Sequence, residues 1–233
     1  RAYDQLIHDV NLQDLDVMFA IDRAGLVGAD GETHHGIYDI SFMRILPGII
    51  IMTPSNENEM WMMLNTGLKH KGPSAIRYPR GNTQGNELLT TDDQIDIGKS
   101  LIVNKGQKIA ILVFGQLLNE VVDIANKLSL TLVDMRFVKP LDKDMIDELS
   151  KGHSHLITIE DNVVTGGAGS SINEYLVEKG YEMPITNLGI PDTVISHGSQ
   201  KELYAEIGLD KKSLEFKINE IYNHISKNKK IVE

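Results

Sequence analysis

Short apolar runs alternate with amphipathic stretches along the whole chain. The runs at 17–21, 49–52 and 109–114 are strand-sized and continuously apolar, which is typical of parallel strands that are covered on both faces. Between such runs, apolar residues recur at helical spacing, as in Leu118, Val121 and Ala125. This alternation predicts an α/β fold built on parallel sheets.

The first α/β unit is predicted over residues 1–82. Its expected elements are a helix from Tyr3, a strand at 17–22, a short helix at 40–46, a strand at 49–52, a helix after Asn56 and a strand at 74–78. Asn56 and Glu59 have the spacing of a capping box, which predicts the start of the longer helix.

A second α/β unit is predicted over residues 98–233, after a polar linker without periodicity at 83–97. Asp142 is expected to cap one of its helices, and Ser171 with Glu174 to form a capping box at another. Its expected strands lie near 101–103, 109–114, 131–135, 156–159 and 185–188. The sequence therefore predicts two parallel-sheet α/β domains.

Charge and composition narrow the function classes. The 233 residues carry a formal net charge of -10, whereas nucleic acids and anionic membrane surfaces attract basic faces. No apolar run is long enough to span a bilayer, and the absence of cysteine excludes disulfides, thiolate metal sites and cysteine nucleophiles. The chain begins inside the first expected helix without an N-cap, so we expect a fragment of a longer protein.

Residues 22–36, called the glycine loop below, hold four glycines among charged residues and two histidines. The loop follows the first strand, and open α/β sheets bind ligands at the carboxyl ends of their strands. Loops are also commonly rich in glycine and polar residues. A ligand site and a polar surface turn therefore both remain open from this segment alone.

Two arginines favour an anion site. Arg23 follows the first strand and Arg80 the third, so both are expected at one edge of a parallel sheet. The planar guanidinium suits phosphate or carboxylate and stays charged at neutral pH. The alternative is ion pairing with Asp22 and Asp30. Arg77 lies inside the strand and is expected to be structural.

His34 and His35 are adjacent, so an extended loop would direct them to opposite sides and only one towards a site. Their spacing with Asp30 and Glu32 fits no standard zinc pattern. Hydrogen bonding or acid–base work by one histidine is the better functional interpretation.

A second glycine-rich segment, Gly-Gly-Ala-Gly-Ser-Ser at 166–171, precedes a predicted helix. Phosphate can dock at such a helix N-terminus, but the segment lacks the lysine of a P-loop and the full dinucleotide fingerprint. A tight turn into a capped helix is the favoured interpretation.

Several of these segments resemble the 1-deoxy-D-xylulose-5-phosphate synthase family of the transketolase group. The similar segments are the first five residues, the glycine loop, Met-Thr-Pro-Ser at 52–55, Arg-Tyr-Pro-Arg-Gly-Asn at 77–82, Gly-Gly-Ala-Gly-Ser at 166–170 and Gly-Ile-Pro-Asp at 189–192. The resemblance covers essentially the whole chain. It implies a truncated pyrimidine-binding domain at 1–82 and a transketolase C-terminal domain at 98–233.

The resemblance implies an enzyme that condenses pyruvate with glyceraldehyde 3-phosphate and releases carbon dioxide, using thiamine diphosphate and magnesium. Such an enzyme serves isoprenoid, thiamine and pyridoxal biosynthesis. The family's Gly-Asp-Gly metal motif and its Glu-Gln-His segment with the cofactor-activating glutamate are not in this sequence. The chain alone is therefore expected to be inactive and to need an N-terminal part that anchors both cofactors, in a homodimer in a bacterial cytoplasm.

The resemblance also implies roles for individual residues. Arg23 and Arg80 match the arginines that hold the acceptor's phosphate, Asp30 and His34 match catalytic-site residues, and Arg1 matches an arginine near the pyrimidine pocket. No metal ligand is expected in this chain. Two alternatives remain: a half or subunit of another transketolase-group enzyme, and a non-catalytic α/β binding or dimerisation module.

Overall fold

The computed structural model describes residues 2–82, 85 and 91–228, and strands and helices alternate in it as predicted. The strands are β1 (Met18–Ile21), β2 (Ile50–Met52), β3 (Ser74–Arg77), β4 (Leu101–Asn104), β5 (Ile109–Phe114), β6 (Thr131–Asp134), β7 (Phe137–Lys139), β8 (His155–Val163) and β9 (Ile185–Ile190).

The helices are α1 (Tyr3–Gln5), α2 (Asp39–Met43), α3 (Glu57–Lys69), α4 (Leu118–Leu128), α5 (Lys143–Gly152), α6 (Ala168–Lys179), α7 (Gln200–Glu206) and α8 (Lys211–Asn228). A π-helix, Leu6–Asn11, continues α1, and two 3₁₀ turns, Gly28–Asp30 and Glu32–His34, lie in the glycine loop. Within the described ranges no helix combines the length and apolar character needed to cross a bilayer.

The first sheet has the strand order β1-β3-β2-β7. β1, β3 and β2 are parallel, and Ala75 in β3 pairs with Phe19 on one side and Ile51 on the other. β7 runs antiparallel to β2, with Lys139 opposite Ile51, so the prediction of a purely parallel sheet is wrong at this edge. β7 has only three residues and its partner strand lies far away in the sequence, so no periodic pattern predicts it.

The second sheet has the order β4-β6-β5-β8-β9. β6, β5, β8 and β9 are parallel, whereas β4 is an antiparallel edge strand. Leu101 and Val103 on β4 are exposed apolar side chains, so polarity does not distinguish this edge from a buried strand. This edge is the second correction to the predicted parallel sheets.

The two halves of the chain share a hydrophobic cluster between their sheets. Ile51 and Ala75 of the first sheet pack in the same cluster as Leu112 and Phe114 of the second, and all four are fully buried. Leu26 of the glycine loop belongs to the cluster on the other face of the second sheet. Each fully buried large apolar side chain stabilises the fold by roughly 1.5–3 kcal/mol, so the halves support each other.

One predicted capping box is half correct. Asn56 caps α3, because its side-chain oxygen accepts hydrogen bonds from the backbone N–H groups of Asn58 and Glu59 at 3.0 Å each. The reciprocal bond from Glu59 is not made, since its carboxylate instead accepts a hydrogen bond from Arg136 at 2.5 Å. Asp142 caps α5 as predicted, accepting from the Met145 N–H at 3.3 Å.

The capping box predicted from Ser171 and Glu174 is wrong. α6 begins at Ala168, so Ser171 lies inside its first turn and donates to the Ala168 carbonyl at 2.6 Å. Glu174 instead accepts from Arg44 Nη1 at 3.0 Å. The helix starts earlier because a carboxylate from elsewhere in the chain caps it, as described below.

The stretch predicted as a linker is packed on α3 where it is described. Ile95 is buried, and its N–H donates to the Thr66 hydroxyl at 2.9 Å. Trp61 Nε1 donates to the Thr91 carbonyl at 2.8 Å. Residues 91–97 therefore lack periodicity because they follow the helix surface in an irregular conformation.

Candidate functional site

A cleft of about 420 Å³ opens at the carboxyl ends of β2 and β3 and beside the loop that follows β5. This position is where open α/β sheets bind ligands. Its lining comes from both halves of the chain and consists of Pro54, Ser55, Asn56, Glu57, Met60, Tyr78, Pro79, Arg80, Gly81, Asn82, Gln116 and Gln200.

Arg23 and Arg80 meet at Asp30, next to this cleft. Arg80 Nη1 donates a hydrogen bond to Asp30 Oδ2, and Arg23 Nε lies 3.7 Å from the same oxygen. Arg23 also donates to Asp22. The predicted proximity of the two arginines is therefore observed, and so is the ion pairing that was its alternative. The hydrogen bond from Arg80, with the charges of both arginines, lowers the pKa of Asp30.

Arg23 retains an unused hydrogen-bond donor. Its Nε is buried and has no hydrogen-bond partner among the described residues. The residue has φ of 62°, in the left-handed region that non-glycine residues rarely adopt. Such a conformation persists only where neighbouring contacts hold it, and the next residue, Ala24, donates from its N–H to the Tyr78 carbonyl at 2.9 Å.

The two histidines have different surroundings, although His34 lies in a 3₁₀ turn and not in the extended loop on which the prediction rested. His34 is exposed, with Nδ1 3.0 Å from the Thr33 hydroxyl, and its charge contributes to the lowered pKa of Asp30. His35 is half-buried: Nδ1 accepts from the Val27 N–H at 3.2 Å, so Nε2 carries the hydrogen that faces the Ser196 carbonyl at 3.5 Å. His35 is thereby engaged in holding the loop, whereas His34 is free to face solvent or a ligand.

Close packing explains two of the loop glycines. A Cβ on Gly25 would lie 2.5 Å from the Tyr204 hydroxyl, and a Cβ on Gly28 would lie 2.8 Å from the backbone N of Gln200. Both glycines also have positive φ, of 76° and 77°.

Sequence reasoning missed the segment around Gln200 and Tyr204 that packs on this loop. The capping box that Ser199 forms with the residue at N3 would have located its helix, α7.

Arg77 is structural, as predicted. It lies beneath the loop, with its side chain 2% exposed, and donates to Asp39 at 2.9 Å, to Asp161 and to the Gly36 carbonyl at 2.9 Å. Burial acts to lower the pKa of Arg77, but the carboxylates of Asp161 and Asp39 more than offset this and raise it. The guanidinium thus joins β3, the glycine loop and β8.

The second glycine-rich segment is a turn into a capped helix. Glu160 accepts hydrogen bonds from the backbone N–H groups of Ala168 and Gly169, both at 2.8 Å. Burial raises the pKa of Glu160 to about 8, against the effect of these two bonds. The carboxyl group of Glu160 therefore occupies the helix N-terminus where a phosphate would dock, and the favoured interpretation is confirmed with Glu160 as the cap.

A buried polar cluster beneath the cleft was missed by sequence reasoning. Ser55, which lines the cleft, donates to Asp134 at 2.6 Å, and the Arg136 N–H donates to the same carboxylate at 3.0 Å. Burial and the nearby Glu59 charge raise the pKa of Asp134 to about 6. These residues lie in two segments, 55–59 and 134–136, that are far apart in the chain, so their sequence spacing carries no motif.

Arg1 lies outside the described residues, so its predicted role near a pyrimidine pocket stays a prediction. Part of the expected linker, residues 83–84 and 86–90, is also outside them. Among the described residues no group of three or more histidine, aspartate and glutamate side chains could hold a metal ion.

The parallel sheets and the cleft at their carboxyl ends correspond to two domains of one enzyme class. Residues 1–86 match the transketolase pyrimidine binding domain, and residues 98–214 match the transketolase C-terminal domain. The chain therefore belongs to the transketolase family.

The sequence relatives narrow the class further and confirm the resemblance seen in the sequence. The chain is 52% identical over 220 residues to the 1-deoxy-D-xylulose-5-phosphate synthase of Vibrio parahaemolyticus, and 52% identical over 221 residues to that of Pectobacterium atrosepticum. In both comparisons 94% of this chain is covered. The chain spans 35% of the length of these curated relatives.

Solved structures agree with the fold. A split-gene transketolase, solved as an inactive β4 tetramer, matches with a TM-score of 0.82 at 24% identity, covering 94% of this chain and 71% of its own. A transketolase from Campylobacter jejuni matches with a TM-score of 0.67 at 19% identity, covering 87% of this chain and 31% of its own. At these identities the likeness establishes the architecture.

Proposed function

We propose that this chain supplies the pyrimidine-binding and C-terminal parts of a thiamine-diphosphate-dependent 1-deoxy-D-xylulose-5-phosphate synthase. The reaction joins pyruvate to glyceraldehyde 3-phosphate and releases carbon dioxide. The observation that carries this proposal is the pair of arginines on one aspartate beside the cleft, in a chain about half identical to synthases of that name. The family matches on either side of residues 87–97 support a domain division at the expected linker.

Arg23 and Arg80 hold the phosphate of glyceraldehyde 3-phosphate. A phosphate carries close to two negative charges and presents oxygens that match the guanidinium fork. Asp30 pairs with both arginines in the structure described, so the acceptor competes with this carboxylate for them. The buried Nε of Arg23 offers a donor that no described side chain uses. The exposed position of Arg80 makes its exchange from Asp30 to phosphate inexpensive.

Asp30 and His34 act on the polar part of the substrates. The lowered pKa of Asp30 keeps its carboxylate ionised at neutral pH, where it accepts hydrogen bonds from substrate hydroxyl groups. His34 is exposed near this carboxylate and hydrogen-bonds the reacting carbonyl and hydroxyl groups. Its imidazole is able both to donate and to accept, which a carbonyl that becomes a hydroxyl requires.

The described residues do not offer the donor set of a magnesium–diphosphate site. We assign that anchor, and the activation of the cofactor, to the part of the synthase that corresponds to the remaining length of the relatives. Thiamine diphosphate supplies the nucleophilic carbon when it is bound. The chain by itself is accordingly inactive, and it works as part of a homodimer in the cytoplasm.

The test uses Arg23→Ala and Arg80→Ala in the assembled synthase. Each change removes charge-assisted hydrogen bonds worth about 1.5–3 kcal/mol, so KM for glyceraldehyde 3-phosphate should rise roughly 10- to 100-fold. KM for pyruvate should change less than threefold. Arg44→Ala is the matched control, because Arg44 pairs with Glu174 away from the cleft.

Equal effects on both substrates would contradict the phosphate assignment. An acceptor without a phosphate that is used as well as glyceraldehyde 3-phosphate would favour another transketolase-group enzyme. Turnover by the isolated chain, supplied with both substrates, thiamine diphosphate and magnesium, would contradict its dependence on a further part. No activity in any assembled form would favour a non-catalytic module.

A further inference from the structure

The glycine loop is anchored on one side by the chain segment 196–204, called the anchor segment below, which includes the start of α7. The clearest contact is at Leu26, whose side chain is fully buried. The Leu26 carbonyl accepts a hydrogen bond from Gln200 Nε2 at 2.7 Å, and the Leu26 N–H donates to the Tyr204 hydroxyl at 3.4 Å. Two side chains of one short helix thus hold both polar backbone groups of this residue.

Contacts with the anchor segment continue along the loop. His35 Nε2 faces the Ser196 carbonyl at 3.5 Å. A Cβ added to Gly31 would meet the His197 side chain at 3.6 Å, and one added to Gly28 would press on Gln200 and Gly198. The loop therefore fits against the anchor segment closely enough to exclude side chains at Gly25 and Gly28.

Tyr204 is itself held in place. Gln116 Nε2 lies 3.4 Å from the Tyr204 hydroxyl and 3.3 Å from Asp161 Oδ2. Burial and the charge of Asp161 raise the pKa of Tyr204, so its hydroxyl stays neutral and accepts these bonds at any physiological pH. The anchor is thus continuous with the buried network around Arg77.

The opposite end of the loop is closed by its own backbone. The Gly25 N–H donates to the Gly36 carbonyl at 2.8 Å, and the Gly36 N–H donates to the Gly25 carbonyl at 3.0 Å. These two bonds fix where the loop leaves the sheet, but they do not fix the tip that carries Asp30. Leu26 lies between the closed end of the loop and Asp30, so its attachment affects where the Asp30 carboxylate stands relative to Arg23 and Arg80.

We propose that Gln200 and Tyr204 are positioning residues for the acceptor-phosphate site. This inference rests on the proposed function, since it names what sets the geometry of the same site. β1 and β3 place Arg23 and Arg80 from the first half, and the anchor segment, through Leu26, supports the part of the loop that carries Asp30 from the second. Phosphate recognition then depends on a helix that acts through the loop, and Gln200 of this helix also lines the cleft beside Arg80.

The first measurement is amide hydrogen exchange on the chain itself. Gln200→Glu keeps the side-chain shape but removes the donor to the Leu26 carbonyl, and Tyr204→Phe removes only the hydroxyl. Exchange over residues 24–31 should accelerate at least tenfold in the double variant, while β5 exchanges as in the parent chain. Glu206→Gln, an exposed change on the same helix, is the control and should leave the loop unchanged.

The second measurement is steady-state kinetics of the assembled synthase with the same variants. Weakening two neutral hydrogen bonds should raise KM for glyceraldehyde 3-phosphate about fivefold to tenfold, with KM for pyruvate within twofold of the parent. Gln200→His, which restores a donor, should recover part of the loss.

Unchanged loop exchange in the double variant would overturn the proposal, as would faster exchange with an unchanged KM for glyceraldehyde 3-phosphate. Neither result bears on the phosphate role of Arg23 and Arg80, which their own variants test. If the Arg23 and Arg80 variants raise KM for glyceraldehyde 3-phosphate but the Gln200 and Tyr204 variants do not, the proposed function stands and this inference is rejected.

Discussion

At the residue scale, exposure separates two arginines that carry the same charge and both pair with aspartate. The side chain of Arg77 is 2% exposed and that of Arg80 is 53% exposed. A buried pair that loses one partner leaves an uncompensated charge, whereas an exposed pair contributes little to stability. Arg77 therefore serves the fold, whereas the exposed Arg80 pair adds little to stability, which suits the phosphate role proposed for Arg80.

Burial also governs the charge state of a carboxyl group, that of Asp134. Burial raises its pKa from 3.8 to about 6, with the Glu59 charge acting in the same direction. An acid whose pKa is raised on folding binds more protons in the native state, so its contribution to stability is lost as pH rises from about 4 to above 6. Ionisation of Asp134 therefore lowers the free energy of unfolding at neutral pH.

Asp134→Asn is expected to remove this pH dependence. Asparagine retains an oxygen that accepts from the Arg136 N–H and an amide that donates to Ser55. Relative to the parent chain, the free energy of unfolding of the variant should rise between pH 4 and 7, by at most about 3 kcal/mol. Urea denaturation at closely spaced pH values measures the difference, and a difference that is flat or falls over this range would contradict the assignment.

At the scale of single elements, helix ends depend on side chains from two sources. Asn56 caps α3 from the adjacent residue, as a local motif does. α6 is capped by Glu160, which precedes it on β8 and reaches its first two N–H groups through the fold. Only the first kind of cap leaves a recognisable spacing in the sequence.

This difference predicts unequal effects of two alanine substitutions. Asn56→Ala should lower the free energy of unfolding by about 1 kcal/mol, because two N–H groups of α3 lose their acceptor. Ser171→Ala should cost less than half as much, since its hydroxyl bonds a carbonyl within α6 and caps nothing. Denaturant melts of the two variants in parallel measure this, and equal losses would show that Ser171 has a capping role after all.

At the scale of the whole molecule, the two matched domains form a joint structure. β7 from the second half completes the first sheet, and the glycine loop of the first half is buried against the second. Arg77 links them with a guanidinium that bonds Asp39 on one side and Asp161 on the other. The cleft lies along this junction and takes its lining from both halves.

Arg77→Met tests the linkage. The change keeps an unbranched side chain but leaves Asp39 and Asp161 buried without their cation, so stability should fall by about 3–5 kcal/mol. Arg80→Met, at the exposed pair, should cost less than about 1 kcal/mol. Fluorescence of Trp61, the only tryptophan, follows unfolding of the first half, and circular dichroism follows the whole chain. Similar losses in both variants would contradict the structural role of Arg77.

The sequence by itself determined the order of strands and helices apart from β7 and α7, the family, and the strand ends where the arginines meet. These features follow from local patterns: continuous apolar runs, helical spacing, and charged residues placed after strands. The cap at Asn56 and the structural role of Arg77 were predicted for the same reason, since each depends on the element that contains it.

The tertiary structure decided which distant segments touch. β7 pairs with β2, Glu160 caps α6, and Gln200 with Tyr204 holds the loop that carries Arg23. Each of these contacts joins residues whose separation in the chain has no period, and a hydrogen-bonding side chain looks the same in sequence whether it faces water or a buried backbone. Only folding brings such partners within bonding distance, and that is where the site acquires its geometry.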